Sequence, residues 1–180
     1  MADLDTAVQF VLHQEDARLS GAITTLPGDR GGATRYGLAA RWHPELVEEG
    51  YYEMKDGEPT VPNEYALAIA VQVYSVQYAS KLNIPGIADQ DLANRALSFA
   101  VNEGPHEAVT LLQRAANACG CRIAVDGDFG PETLKAVDGL QPERLLAAFR
   151  SVQAGFYRRL VAVRPQLLPY LNGFLNRANV

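Results

Sequence analysis

The sequence predicts a mainly α-helical fold with at most one small β-hairpin, on the basis of three observations. Apolar residues recur at helical spacing in several long segments, and short stretches rich in glycine, proline and asparagine separate those segments. The clearest strand signal is confined to residues 51–62, around an Asp56-Gly57 turn. The 180 residues are 48% hydrophobic, which is enough to bury a core without disulfides or a metal.

The first helix is predicted to begin at Asp3 or Asp5, because either side chain can cap it. Its apolar positions share one helical face and are Leu4, Val8, Val11 and Leu12. Glu15 lies four residues beyond Val11 and continues the same inward stripe. A carboxylate at the end of a buried stripe is either paired or open to a cleft, so Glu15 becomes a candidate functional residue.

The segments that follow the first helix contain loops and short elements. Residues 20–37 include five glycines and one proline, which predicts a loop or a short irregular hairpin. Residues 38–50 are predicted to be helical, with Trp42 in the core and Gly50 as the stop. Residues 51–62 are predicted to form the hairpin around Asp56-Gly57.

The rest of the chain is predicted to be helical. Asn63 caps a long helix that ends at Asn83 and Pro85. A central helix is expected over about residues 89–101, followed by one from His106 to about residue 118. Further helices are expected from Pro131, over residues 142–163 and over residues 165–178.

Residue spacing argues against several classes of site. The three histidines never form an HExxH pair or another metal-ligand spacing. Asp126, Asp128 and Gly130 resemble the start of a calcium loop, but Val137 stands where a bidentate glutamate is required. The sequence contains no phosphate-binding glycine loop after a strand and no GxSxG serine motif. We therefore expect no metal and no cofactor.

The sequence also bears on redox state and location. Cys119 and Cys121 are separated by one residue, a spacing that disfavours a bridge between them, so two reduced thiols are expected. The N-terminal residues MADLDTAVQF are acidic and lack the basic and apolar regions of a secretory signal. No stretch approaches about 18 apolar residues. These features predict synthesis and accumulation in the cytoplasm.

Charge is distributed unevenly along the chain. The net charge is −5, yet residues 144–180 contain six arginines and no acidic residue, which leaves −11 on the other 143 residues. The arginines are Arg144, Arg150, Arg158, Arg159, Arg164 and Arg177. A cationic end on an acidic body favours an anionic partner surface, such as a membrane, a cell wall or a nucleic acid. A solvated basic face of a helix pair is the alternative.

Carboxylate chemistry is the catalytic class that remains. The acid of a glycoside hydrolase must stay protonated near neutral pH, and burial against apolar groups raises the pKa of a glutamate in that direction. Glu15, at the end of an apolar stripe and opposite a glycine-rich loop, has such a setting. A surface glutamate at a helix end is the alternative, and spacing alone does not decide between them.

Motifs along nearly the whole chain resemble those of glycoside hydrolase family 108, which comprises bacteriophage endolysins and related bacterial N-acetylmuramidases. Glu15 followed by GDRGGATRYG resembles the family's HEGGY and DPGGATNYGI. Tyr74 and Tyr78 resemble its tyrosine-rich helix. Further along the chain, residues 102–105 resemble the family's NSGP, residues 111–114 its LLQR, and residues 125–134 its VDGxxGPxTL. Residues 156–160 and 171–177 resemble its closing helices.

The resemblance implies a lysozyme-like helical bundle with two functional regions. Residues 1–101 would form the catalytic muramidase region, and residues 102–180 a helical peptidoglycan-binding region packed into the same globule. The chain departs from the family pattern in three places. EDAR replaces EGGY after the acid, Arg30 replaces a proline, and Ser98 stands where the family often has an aspartate.

The family's catalytic glutamate falls on Glu15, which would protonate the glycosidic oxygen. Asp16 and Asp29 are nearby candidates for a second carboxylate, but adjacent helical residues point about 100° apart, so Asp16 fits poorly. Thr34 could instead position the attacking water in an inverting route, as the similar pattern of goose-type lysozymes suggests.

The remaining predicted site residues would bind the substrate. Asp29 lies in the glycine-rich loop, and Tyr36, Tyr74 and Tyr78 could stack on sugar faces or donate hydroxyls to N-acetyl groups. Half-buried core tyrosines are the alternative. Asn102 could bond a sugar or peptide, or could cap a helix terminus.

The resemblance implies a peptidoglycan muramidase, most simply a phage or prophage endolysin that a holin releases from the host cytoplasm to the periplasm. The expected partner is peptidoglycan, with the arginine-rich end contacting an anionic outer membrane or wall. No nucleic acid partner is expected, and the protein is expected to be a monomer. The alternatives are a catalytically degenerate peptidoglycan-binding protein, a membrane-disrupting cationic protein, or a lytic transglycosylase.

Overall fold

The structure, a computed structural model, describes residues 1–25 and 31–179. Its described residues confirm the mainly α-helical class. The helices are α1 Leu4–Glu15, α2 Pro44–Glu48, α3 Asn63–Val73, α4 Gln90–Glu103, α5 Pro105–Ala118, α6 Pro131–Asp138, α7 Pro142–Val163 and α8 Leu171–Asn179. A π-helical turn, Tyr74–Tyr78, and a 3-10 turn, Ala79–Leu82, continue α3. Further 3-10 turns are Ile84–Gly86 and Pro165–Tyr170, the latter covering the start of the last predicted helix.

The described residues form two small antiparallel hairpins, where the sequence predicted at most one. Strands β1 Thr34–Arg35 and β2 Leu38–Ala39 form the first, and β3 Met54–Lys55 and β4 Glu58–Pro59 form the second. Both two-residue turns have positive φ at both positions, which is the type I′ geometry that matches strand twist. The Asp56-Gly57 turn carries the usual sequence signal. Tyr36-Gly37 does not, since tyrosine rarely occupies the left-handed region.

The predicted helix over residues 38–50 is reduced to α2. Strand β2 occupies its start, and the backbone N–H groups of Ala40 and Arg41 bond back to Ala33 and Gly31. The prediction that Trp42 lies in the core is wrong, because its side chain is 69% exposed. The Arg41 guanidinium lies 5.2 Å from the centre of the indole ring.

Helix α4 is the centre of the molecule, and its residues 96–100 are all buried. It packs against α1 on one side and against α5 and α7 on the other, so a single core spans both halves of the chain. Phe99 contributes the aromatic centre, with its ring edge-on to Phe149, Phe156 and Tyr157. Helix α8 then docks on α7, since Phe174 stacks on Tyr157 at 5.0 Å.

None of the helices among the described residues is long and apolar enough to cross a membrane. Within residues 1–25 and 31–179, no group of three His, Cys, Asp or Glu side chains could hold a metal ion. Cys119 and Cys121 are both free thiols.

Candidate active site

Glu15 is the last residue of α1 and lies at the edge of the core. Asp3 caps the helix by accepting the N–H of Thr6, and the predicted apolar face buries Val8, Val11 and Leu12. This burial fixes the rotation of the helix, so that Glu15 emerges beside the first hairpin. Its side chain is 17% exposed, which leaves the carboxylate accessible but largely surrounded by protein.

Asp16 is used by the loop that follows α1 and does not share the site of Glu15. Its carboxylate accepts hydrogen bonds from the N–H groups of Arg18 and Gly21 and from the Ser20 hydroxyl. Burial alone would raise the pKa of Asp16, but these hydrogen bonds outweigh it and lower the pKa. Asp16 therefore acts as an ionised cap that shapes residues 16–21.

The turn of the first hairpin lies directly against Glu15. Gly37 has φ +78°, and a Cβ built there would lie 2.7 Å from the Glu15 Cγ and 2.6 Å from the Tyr74 hydroxyl oxygen. No larger residue fits, because the turn needs the left-handed conformation and the space is already filled. The glycine of the YG motif thus allows the hairpin to form one wall beside the carboxylate.

Tyr36 and Tyr74 support this wall and do not present a face to substrate. Tyr36 is 2% exposed, and its hydroxyl bonds the Leu19 carbonyl and the Asn63 side chain. Tyr74 is fully buried and donates to the Tyr36 carbonyl at 2.6 Å. Burial, reinforced by the nearby Glu15 charge, raises the pKa of Tyr74 well above its ordinary value. The predicted sugar contacts of both tyrosines are therefore corrected to a structural role.

Tyr78 and Thr34 are more accessible. Tyr78 is half-buried, packs edge-on against Tyr74, and has its hydroxyl 3.3 Å from the His43 Nε2. Thr34 is half-buried in β1, and its backbone pairs with Thr24. Strand alternation places its side chain on the face opposite the buried Arg35. The roles of Thr34 and Tyr78 stay predictions, and Asp29 lies outside the described residues.

Asn102 is joined to Glu15 through an arginine from the other half of the chain. One guanidinium nitrogen of Arg177, Nη1, lies 3.4 Å from the Glu15 Oε1 and donates to the Asn102 Oδ1. The Asn102 amide donates in turn to the Ser98 carbonyl, and the Ser98 hydroxyl to the Gln14 side chain. Asn102 is exposed. Its predicted role in substrate binding stays a prediction, and the sequence did not predict its contact with Arg177.

Glu103, which the sequence did not single out, is half-buried beside this cluster. Burial raises its pKa to about 7, although the charges of Arg164 and Arg177 oppose the shift. Burial raises the pKa of Tyr157 to about 12, and the nearby Glu103 charge acts in the same direction. Only the perturbed pKa marks Glu103 as unusual, and no sequence pattern reports it.

This shift predicts a pH-dependent stability. Since the pKa of Glu103 is higher in the folded than in the unfolded chain, its contribution to the free energy of unfolding is present below about pH 4 and lost as pH rises through about 7. Glu103→Gln should therefore be more stable than wild type at pH 8, by about 1–2 kcal/mol after allowance for partial exposure. Urea unfolding at pH 4.5 and 8 measures this. If the free energies of unfolding of Glu103→Gln and wild type differ by the same amount at both pH values, the prediction is contradicted. Glu48→Gln, at an exposed position, is the control.

A groove of about 430 Å³ opens between residues 20–23 and the second hairpin. Arg35 lines it and is itself only 1% exposed. Its guanidinium donates to the carbonyls of Gly21 at 2.8 Å, Tyr51 at 3.3 Å and Val61 at 3.0 Å. Arg35 thus ties together three segments, two of which line the groove, at Gly21 and Val61. The sequence did not single it out, because its partners are backbone atoms distant along the chain.

A family model described as "Glycosyl hydrolase 108" matches residues 8–104, more than half of the chain. The chain belongs to glycosyl hydrolase family 108. A second model, described as "Predicted Peptidoglycan domain", matches residues 107–179 of this family 108 protein. Glu15 lies in the first match and Arg177 in the second.

Comparison with solved structures gives the fold. The structure titled "Structure of Brucella abortus SagA" is 21% identical to the family 108 chain, with a TM-score of 0.66 over 97% of this chain and 92% of that one. At this identity the likeness shows the fold alone. A comparison with functionally curated proteins found no match.

The family assignment has a direct chemical consequence. The chain is a glycoside hydrolase, and the two matched models together support a peptidoglycan-hydrolysing, lysozyme-like function. The match of residues 107–179 to a peptidoglycan domain likewise supports peptidoglycan as the partner.

Proposed function

We propose that this protein is an N-acetylmuramidase that hydrolyses the β-1,4 bond between N-acetylmuramic acid and N-acetylglucosamine, with Glu15 as general acid. The observation that supports this most strongly is the position of Glu15. It is a 17% exposed carboxylate at a helix end, lined by the Gly37 turn and joined to the second half of the chain through Arg177. Asp16 is committed to its loop, which leaves Glu15 as the available acid of the EDAR segment.

The proposed reaction is a single displacement. Glu15 gives its proton to the glycosidic oxygen as the bond to the anomeric carbon breaks, and a water adds to that carbon from the opposite face. Thr34 holds this water through its hydroxyl, and a base accepts the proton that the water loses. Since Asp16 is held in its loop, Asp29 is the remaining nearby sequence candidate for that base.

Product analysis tests the proposal. Purified sacculi from a Gram-negative bacterium would be digested with the full-length protein, and the released muropeptides analysed by mass spectrometry. Products with reducing-end N-acetylmuramic acid are expected. Reducing-end N-acetylglucosamine would place the cut at the other bond, and 1,6-anhydro products would make the protein a lytic transglycosylase. Binding to sacculi without any cleavage would leave a peptidoglycan-binding protein that has lost catalysis.

The proposed setting is a phage or prophage lysis system. The enzyme accumulates in the host cytoplasm, passes to the periplasm through a holin, and there cuts the glycan strands as a monomer. The basis for this is the resemblance to a family that includes bacteriophage endolysins. Expression in a Gram-negative host with and without a holin tests it, since lysis should require the holin. Lysis without the holin would contradict it.

The arginine-rich end is proposed to contact the anionic outer membrane or wall. Arg158, Arg159 and Arg164 are all exposed near the end of α7. The same region exposes large apolar side chains: Val163 is 75%, Leu168 60% and Tyr170 61% exposed. Cationic groups beside exposed apolar and aromatic groups suit an anionic amphiphilic surface.

Replacing Arg158, Arg159 and Arg164 together by glutamine is expected to weaken binding to anionic lipid vesicles by about tenfold or more, since each basic residue near such a surface contributes about 1 kcal/mol. Sedimentation with vesicles containing anionic or only zwitterionic lipid measures this. The control replaces Arg18, Arg114 and Arg122, which are exposed elsewhere, and makes the same change in net charge. Equal loss in both triple variants would contradict a specific surface.

A further inference from the structure

The contact between Glu15 and Arg177 joins the two halves of the protein at the proposed catalytic atom. The residues are 162 positions apart, and the same nitrogen of Arg177 is shared between Glu15 and Asn102. The Arg177 side chain is 39% exposed, so it can be reached from solvent, whereas that of Glu15 is 17% exposed. Helix α8, which carries Arg177, is held against α7 by the stacked rings of Phe174 and Tyr157.

This contact occupies the proposed catalytic side chain. The Arg177 guanidinium, which is always charged, lies 3.4 Å from the Glu15 Oε1, and a general acid must instead reach the glycosidic oxygen. The described arrangement therefore resembles a resting state, in which Glu15 is held as the partner of a fixed positive charge.

The geometry also leaves Arg177 able to bind another anion. A guanidinium has five N–H donors arranged to match a carboxylate in a two-bond contact, and the bonds described for Arg177 run through Nη1 alone. A substrate carboxylate could therefore offer Arg177 a better partner than the single 3.4 Å contact with Glu15. In peptidoglycan, carboxylates belong to the peptide stems attached to the muramic acid residues, while the unmodified glycan backbone is neutral.

We propose that Arg177 is a specificity-determining residue that senses the peptide stem. A stem carboxylate takes the guanidinium from Glu15, which leaves the Glu15 side chain free to face the glycosidic oxygen. The exchange replaces one ion pair by another and needs no co-reactant. The inference rests on the proposed muramidase function. It explains why an arginine from the half that matches the peptidoglycan domain reaches the proposed catalytic residue of the other half.

The test compares two substrates that differ only in the charge of their stems. Intact glycan strands with peptide stems, and the same strands with the stem carboxylates converted to neutral methyl amides, would each be digested, and kcat/KM determined from new reducing ends. Wild type should prefer the strands with free carboxylates by about tenfold, since only these offer Arg177 a charge-assisted pair. Arg177→Gln should reduce this preference to about one. Arg177→Lys should retain part of it.

Control measurements separate this role from a structural one. Arg114→Gln, at an exposed arginine of α5, should keep the wild-type preference. Thermal unfolding of each variant checks that the fold is retained. Equal loss of activity on both substrates in Arg177→Gln and Arg177→Lys, or no preference in wild type, would overturn the inference while leaving the muramidase proposal intact. Cleavage of neither substrate by wild type would instead contradict the proposed function, and this inference with it.

Discussion

Replacing Glu15 by glutamine is expected to lower kcat for glycan cleavage by on the order of 10³-fold, because the side chain can no longer give a proton to the leaving oxygen. KM should change little, since glutamine has nearly the same shape and can still accept a bond from Arg177. Release of reducing ends from sacculi measures the rate, and sedimentation with sacculi measures binding.

The control for this variant is Glu48→Gln, which makes the same substitution at an exposed position of α2. It should have wild-type activity. Glu15→Gln should also unfold at a temperature close to that of the wild type, so that any lost activity reflects chemistry. If a correctly folded Glu15→Gln protein keeps more than about a tenth of wild-type kcat, Glu15 is not the general acid.

Arg35→Ala is expected to lower the free energy of unfolding by about 3–4 kcal/mol. The substitution leaves three carbonyl groups, of Gly21, Tyr51 and Val61, without their donor, and it removes a side chain that is 1% exposed. It also removes the cation that lies 5.3 Å from the centre of the Tyr51 ring. Urea unfolding monitored by circular dichroism measures the loss.

Two further variants show whether the three hydrogen bonds of the planar Arg35 guanidinium cause this loss of stability. Arg18→Ala, at an exposed position, should change the free energy of unfolding by less than about 0.5 kcal/mol. Arg35→Lys keeps the charge but cannot reach three carbonyls at once, so it should lose nearly as much stability as the alanine variant. A lysine variant as stable as wild type would show that charge, and not the planar fork, matters at this position.

Most of the helices could be predicted because their signals are local. Asp3 and Asp89 cap α1 and α4 with their own side chains, and Pro105, Pro131 and Pro142 each begin a helix as their fixed φ angle favours. The second hairpin was predicted for the same reason, since Asp56-Gly57 is itself the turn.

The first hairpin was harder to predict because its cause is not local. Tyr36 has φ +51°, a conformation that its own side chain does not favour. Three hydrogen bonds hold it there from outside the hairpin. The Tyr36 hydroxyl donates to Leu19 and Asn63, and the Tyr36 carbonyl accepts from the Tyr74 hydroxyl. The position of Trp42 depends on this hairpin, since β2 displaces the start of the predicted helix and carries the indole to the surface.

The sequence by itself determined the helical class, the placement of Glu15 at the end of an apolar stripe, and the resemblance to family 108, since each depends on spacing or on motifs along the chain. Only the tertiary structure decided which groups meet Glu15. Gly37 approaches it from a turn 22 residues away, and Arg177 from a helix 162 residues away. Such contacts depend on how the helices pack around α4, and packing is set by the shapes of whole elements and not by the order of neighbouring residues.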